Sequence, residues 1–162
     1  MLLGDTNIIG DIGENITATR LGKTKIFIVY LLGGKTPLFD LLIEINDEEK
    51  PYQALIQVKT ASQQNKYTQD GSRIKTPITS EKLFKLIKKP MPTYVCGVDL
   101  DDEKIFIAPA FDSALRYPSV PTNRMVDKTD SLGTLNRLKE DIINFWETNR
   151  INELKTEYNS IL

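Results

Sequence analysis

Four polar residues in the N-terminal part of the chain have the types and spacing to do chemistry together: Glu14, Asp40, Gln57 and Lys59. Gln57 and Lys59 stand two apart in an alternating run, Tyr52 to Thr60, so as a strand it presents both on one face. Asp40 lies near the start of the preceding alternating run, Leu38 to Ile45. If the two runs pair as a hairpin, a carboxylate, an amide oxygen and an ammonium converge. The chain has no histidine and one cysteine, Cys96. Ser-His-Asp and Cys-His nucleophile systems are thereby excluded, as is zinc held by histidine or by a thiolate cage. Hydrolytic chemistry would have to come from carboxylates, lysines and a hard, oxygen-preferring cation such as magnesium.

Each of these residues also has a plainer reading. Asp40 could be a strand-end residue in water, and Gln57 with Lys59 could be the polar face of an edge strand. Glu14 alone is a commonplace helical glutamate, and Glu44, which shares the Asp40 face, is either a further ligand or solvated. Joint occurrence in order is what gives the set its weight.

The elements that must position them follow from periodicity. Gly10 to Leu21 reads as a first helix, with Gly10, Glu14, Ala18 and Leu21 on one stripe and Ile9, Ile12 and Ile16 on the other side. Lys25 to Leu32 is rich in β-branched and aromatic residues and ends at Gly33-Gly34, a turn signal. The polar turn Asn46 to Pro51 links the next two strands, which completes an antiparallel meander of three. Residues 61–78 read as a long polar connection. A second helix is expected with Ser80 as N-cap, Leu83, Phe84 and Ile87 as its apolar face, Lys88-Lys89 in its last turn and Pro90 as its stop. Strands Thr93 to Asp99 and Lys104 to Ala108 follow, joined by the acidic turn Leu100 to Glu103. Beyond them, Leu132 to about Tyr158 is amphipathic, with Leu135, Leu138, Ile142, Phe145 and Trp146 on one stripe and Ile151, Leu154 and Tyr158 on a second.

With 162 residues and 40% apolar content, the chain suits one compact domain with a genuine core. The longest apolar run, Ile26 to Leu32, is far short of a membrane span, and the first residues lack the marks of a signal peptide. A lone Cys96 inside the run Tyr94 to Val98 reads as a buried small hydrophobe, and a reducing cytoplasm is its simplest home. Net charge is only −1, yet residues 59–89 hold 8 Lys/Arg against 2 Asp/Glu. That stretch is either a basic binding patch or an ordinary solvated face.

The motifs Gly10-Asp-Ile-Gly-Glu14, Leu38-Phe-Asp40 and Ile56-Gln57-Val-Lys59 resemble the PD-(D/E)XK nuclease superfamily, in particular the branch of Mrr-type restriction endonucleases and archaeal Holliday-junction resolvases. The resemblance covers roughly the first 110 residues. It departs in two places: Phe39 stands where the family name has proline, and Gln57 where it has an acid. Glutamine there is known in Mrr-type enzymes and in the nuclease subunit of a heteromeric bacterial transposase.

The resemblance implies an α+β (three-layer α/β) restriction-endonuclease-like domain over residues 1–162, with its core in about 1–110 and a C-terminal helical segment in about 131–158. It implies a magnesium- or manganese-dependent DNA endonuclease in prokaryotic restriction, defence, mobile-element or repair. Asp40 would be the anionic metal ligand, and Gln57 and the Val58 backbone carbonyl neutral ones. Glu14 would hold a metal-bound water, and Lys59 would orient or deprotonate the attacking water. Lys66, Arg73 and Lys75, with Gln63, Gln64 and Tyr67 nearby, would grip the phosphate backbone. The apolar C-terminal stripe offers a homodimer interface, and other subunits of a defence or mobile-element system are further expected partners. The alternative is a catalytically inactive nuclease-fold subunit that binds nucleic acid or scaffolds a larger complex.

Overall fold

The computed structural model describes residues 3–33, 36, 38–61, 64–115 and 118–161. The fold is α+β. Helix α1 (Leu3–Lys23) leads into β1 (Phe27–Leu31), β2 (Leu41–Ile45) and β3 (Gln53–Ala61). Then come β4 (Arg73–Lys75), α2 (Ser80–Ile87), β5 (Thr93–Asp99), β6 (Lys104–Pro109) and α3 (Ala110–Leu115). The chain continues through β7 (Ser119–Pro121), a 3-10 turn at Thr122–Arg124, β8 (Met125–Val126) and α4 (Thr134–Ile161).

The main sheet has the order β1-β2-β3-β5-β6-β8. The expected meander is present, with Leu41 opposite Ile56 and Leu42 opposite Leu55. The one parallel pairing in this sheet is β3 with β5, where Gln57 aligns with Val95 and Lys59 with Gly97. Strand β3 is therefore internal over Gln53 to Ile56, whereas Gln57 and Lys59 lie beyond its last pair with β2 and are paired on the β5 side.

Period-two alternation sorts the core into two layers. Leu41, Ile43, Ala54, Ile56, Val58, Tyr94, Cys96 and Val98 pack with Leu21 of α1 and with Leu135, Leu138 and Ile142 of α4. On the other face, Val95, Phe106 and Ala108 pack with Ile74, Leu83, Leu86 and Val120, from β4, α2 and β7. Cys96 is fully buried, and that burial pushes its thiol up to about 12. Among the described residues, no helix is long and apolar enough to cross a membrane.

Several expectations need correction. Helix α1 starts at Leu3, and its buried stripe is Gly13, Thr17 and Leu21, whereas Ile12 is exposed. A Cβ on Gly13 would fall 1.8 Å from Thr60 Oγ1, so α1 lies directly on the end of β3. Thr79, not Ser80, caps α2 by accepting the Lys82 N–H. That helix buries Leu83 and Leu86, and Phe84 is exposed. The connection over residues 61–78 contains β4, which pairs with β7 as a second, two-stranded sheet. Elements α3, β7 and β8 are additions to the expected order. The first C-terminal stripe is not free for a partner copy, because Leu135, Leu138 and Ile142 pack on the chain's own sheet and Trp146 donates to the Gln53 carbonyl. The side chains of Ile151, Leu154 and Tyr158, like residue Gln63, lie outside the described set.

Candidate active site at the end of strand β2

Strand β2 begins one residue after Asp40, while β3 runs on to Ala61. Beyond Ile56, the neighbour of Leu41, the backbone of β3 has no ladder partner on the β2 side among the described residues. A buried backbone donor needs an acceptor, and the Asp40 carboxylate supplies it: Val58 N–H donates to Asp40 Oδ2 at 2.8 Å. The Gln57 side chain donates from Nε2 to the same oxygen at 2.8 Å and makes a longer contact of 3.4 Å with the Val58 carbonyl. The site is thus a gap in the ladder, filled by side chains.

Glu14 reaches this gap from α1 and shares a hydrogen bond with Asp40. Partial burial, then the nearby charges of Asp40 and Asp11, then that hydrogen bond raise the Glu14 pKa to about 7. Asp40 is also raised, by burial, although the Val58 N–H, the Lys59 charge and Glu14 all pull it down. Both carboxyls are thus pushed toward their protonated forms, Glu14 into the neutral range. Lys59 is half-buried, follows Gln57 on the same face of β3, and has no ion pair among the described residues. Its charge acts on Asp40 without a direct salt bridge. Glu44, the other candidate, accepts a hydrogen bond from Gln53 at 3.0 Å and stands apart from this group.

The structure thus gathers Glu14, Asp40, Gln57 and the Val58 backbone into one hydrogen-bonded group, with Lys59 beside it. The basic residues fare differently. Lys66 is held between Asp99 and Asp101, and Tyr67 donates to Asp99 at 2.7 Å. Arg73 pairs with Asp112 and donates to the Ser119 side chain and carbonyl. Both cations are mostly buried internal braces, and this corrects the expectation that they face a ligand. Lys75 is half-buried and has no ion pair among the described residues.

Two neighbours of the site escaped the sequence reading. Gly97 lies beside Lys59, and a Cβ there would stand 2.6 Å from Ile74 Cγ2, so β4 rests directly on the sheet at that point. A glycine inside the strand-like run Tyr94 to Val98 is the available signal for such an approach. Lys89 places Nζ 5.9 Å from the ring centroid of Phe39, next to Asp40; nothing in the sequence marks that contact.

Two clefts, of about 580 and 440 Å³, lie elsewhere, the larger lined by Arg73, Phe111, Asp112 and Arg124 among others. Among the described residues no group of three or more His, Cys, Asp or Glu side chains converges. The oxygen set at the gap is two carboxyls, one amide and one backbone carbonyl.

In comparisons with known proteins, no family model matches the chain, and no curated protein matches it. Among solved structures it is similar to a bacterial homing endonuclease at 16% sequence identity and a TM-score of 0.47, over 72% of this chain and 76% of that one.

Proposed function

We propose that the chain is a metal-dependent endonuclease that hydrolyses phosphodiester bonds in DNA, with Asp40, Glu14, Gln57 and Lys59 as its active site. The observation that carries this reading is the gap at the end of β2, where the carboxyls of Asp40 and Glu14, the Gln57 amide and the Val58 carbonyl meet, one residue before Lys59, which has no ion pair among the described residues. A carboxyl whose pKa is raised by a neighbouring carboxylate marks a place where a cation would be favoured. The donor set is all oxygen, as magnesium or manganese requires.

Asp40, Glu14, the Val58 carbonyl and, after rotation of its amide, the Gln57 oxygen would hold the ion. When bound, it would neutralise charge building on the phosphoryl oxygens and lower the pKa of a coordinated water. The chain's own contribution is positional. Asp40 is fixed by the Val58 N–H, so it presents its remaining lone pairs without searching rotamers. Lys59, which has no ion pair among the described residues, would orient the attacking water and counter charge on the phosphate.

A second reading has its own observation. The Gln57 amide donates to Asp40 and touches the Val58 carbonyl, so its nitrogen fills the position a cation would take. On that reading the chain is a nuclease-like subunit without catalysis. The deciding experiment is incubation of the protein with supercoiled plasmid and magnesium or manganese, alongside Lys59→Ala and Asp40→Asn. Metal-dependent nicking lost in both variants is expected, with Asp40→Asn retaining its fold because it changes little volume. Activity at the parental rate in Asp40→Asn, or none in the parent, would reject the catalytic reading.

A further inference from the structure

With Lys66 and Arg73 turned inward, the positive charge of residues 59–89 is carried to the surface by another element. From Lys82 to Val98 the chain has four lysines and no acidic residue. Because α2 buries Leu83 and Leu86, it turns Lys82, Lys85 and Lys88 outward, and all three are exposed. Lys85 pairs with Glu81, but both partners are largely exposed, so the pair is weak and exchangeable. The run ends at Lys89, whose ammonium lies over Phe39, the residue before Asp40. The lysine row therefore leads from the far end of α2 to the mouth of the site.

We propose that this outward face of α2 is a docking track for the sugar-phosphate backbone of duplex DNA, delivering the strand to Asp40 and Lys59. The inference rests on the nuclease reading for its choice of polyanion. Its geometry fits: the rise from Lys82 to Lys89 is about 10 Å at helical spacing. Successive phosphates along one strand advance about 3.4 Å along the duplex axis, so the row spans roughly three of them. A lysine contacts phosphate as a flexible point charge, which suits a track that carries no sequence preference.

The test is the salt dependence of binding. A short fluorescent duplex is titrated with the metal-free protein, so that no cleavage intervenes, from about 50 to about 200 mM salt. The parent is compared with the triple variant Lys82→Gln, Lys88→Gln, Lys89→Gln and with a control pair on α4, Arg137→Gln with Lys139→Gln. The triple variant should lose between two and three from the slope of log affinity against log salt, at about 0.9 per contact. The α4 pair should leave the slope unchanged, and thermal unfolding should confirm that all proteins fold. An unchanged slope in the triple variant, an equal loss in the α4 pair, or no duplex binding by the parent would overturn the track. A parent that nicks plasmid while the triple variant keeps its full slope would sink the track and spare the nuclease reading. Lysine-dependent binding without cleavage would do the reverse.

Discussion

Replacing Gln57 by glutamate separates the two readings of the gap. In the metal-free protein the substitution removes the N–H that Gln57 donates to Asp40 at 2.8 Å and sets a third carboxyl beside Glu14 and Asp40. A hydrogen bond to a charged acceptor contributes about 1.5–3 kcal/mol. Two carboxylates about 4 Å apart repel by about 4 kcal/mol at an effective dielectric of about 20. Proton uptake relieves much of that repulsion, so the net loss should be about 2–3 kcal/mol at mildly alkaline pH and smaller at acid pH. For a chain of this length that lowers Tm by roughly 4–12 °C. If the gap is a cation site, magnesium reverses the effect, because carboxylate binds a hard cation better than amide oxygen does. Saturation at about a hundred times Kd returns about 2.7 kcal/mol, and the variant should reach half-recovery at lower magnesium than the parent. Thermal unfolding across a magnesium series measures both arms. A variant that stays destabilised at every magnesium concentration would refute the metal-site reasoning and leave Gln57 a structural amide.

Glu14, with its pKa near 7, makes the same site visible through protons. Its folded pKa lies above its unfolded value, so the metal-free protein gains stability as pH falls from about 7 toward 4.5. Magnesium binding below pH 7 should expel close to one proton, read by calorimetry in buffers of different ionisation heat; the Glu14→Gln variant should release none. Gly13→Ala should cost about 1–3 kcal/mol, because its Cβ would strike Thr60 Oγ1 at 1.8 Å and push α1, with Glu14, off the end of β3. Urea unfolding measures that loss, and a neutral effect would show that α1 does not seat as described.

The meeting of Asp40 and Gln57 was legible because it needed only the two-residue period and one short hairpin. The role of the ladder gap was not, since it depends on β2 starting one residue after Asp40. Elements β4, β7 and β8 have two or three residues each, too few to show any period. Lys66 and Arg73 looked like surface charges because their partners, Asp99 and Asp112, are 33 and 39 positions away. The row Leu135, Leu138 and Ile142 was correctly read as apolar, but a stripe does not say whether it meets its own sheet or another chain. In α2, the assignment of Phe84 to the buried face failed because Leu83 and Leu86 already fill the space against β4 and β7.

The Arg73–Ser119 contact closes a loop of 46 positions, and closing such a loop costs about 3 kcal/mol in chain entropy beyond a constant. The contacts that offset this cost, Ile74 and Val120 against Val95 and Phe106, exist only once β5 and β6 are in place. The small sheet is therefore a clasp that holds only against the larger one, since its apolar partners lie on β5 and β6. Since β4 lies over Gly97, alongside Lys59, the surroundings of the candidate site share that dependence on contacts far apart in the chain.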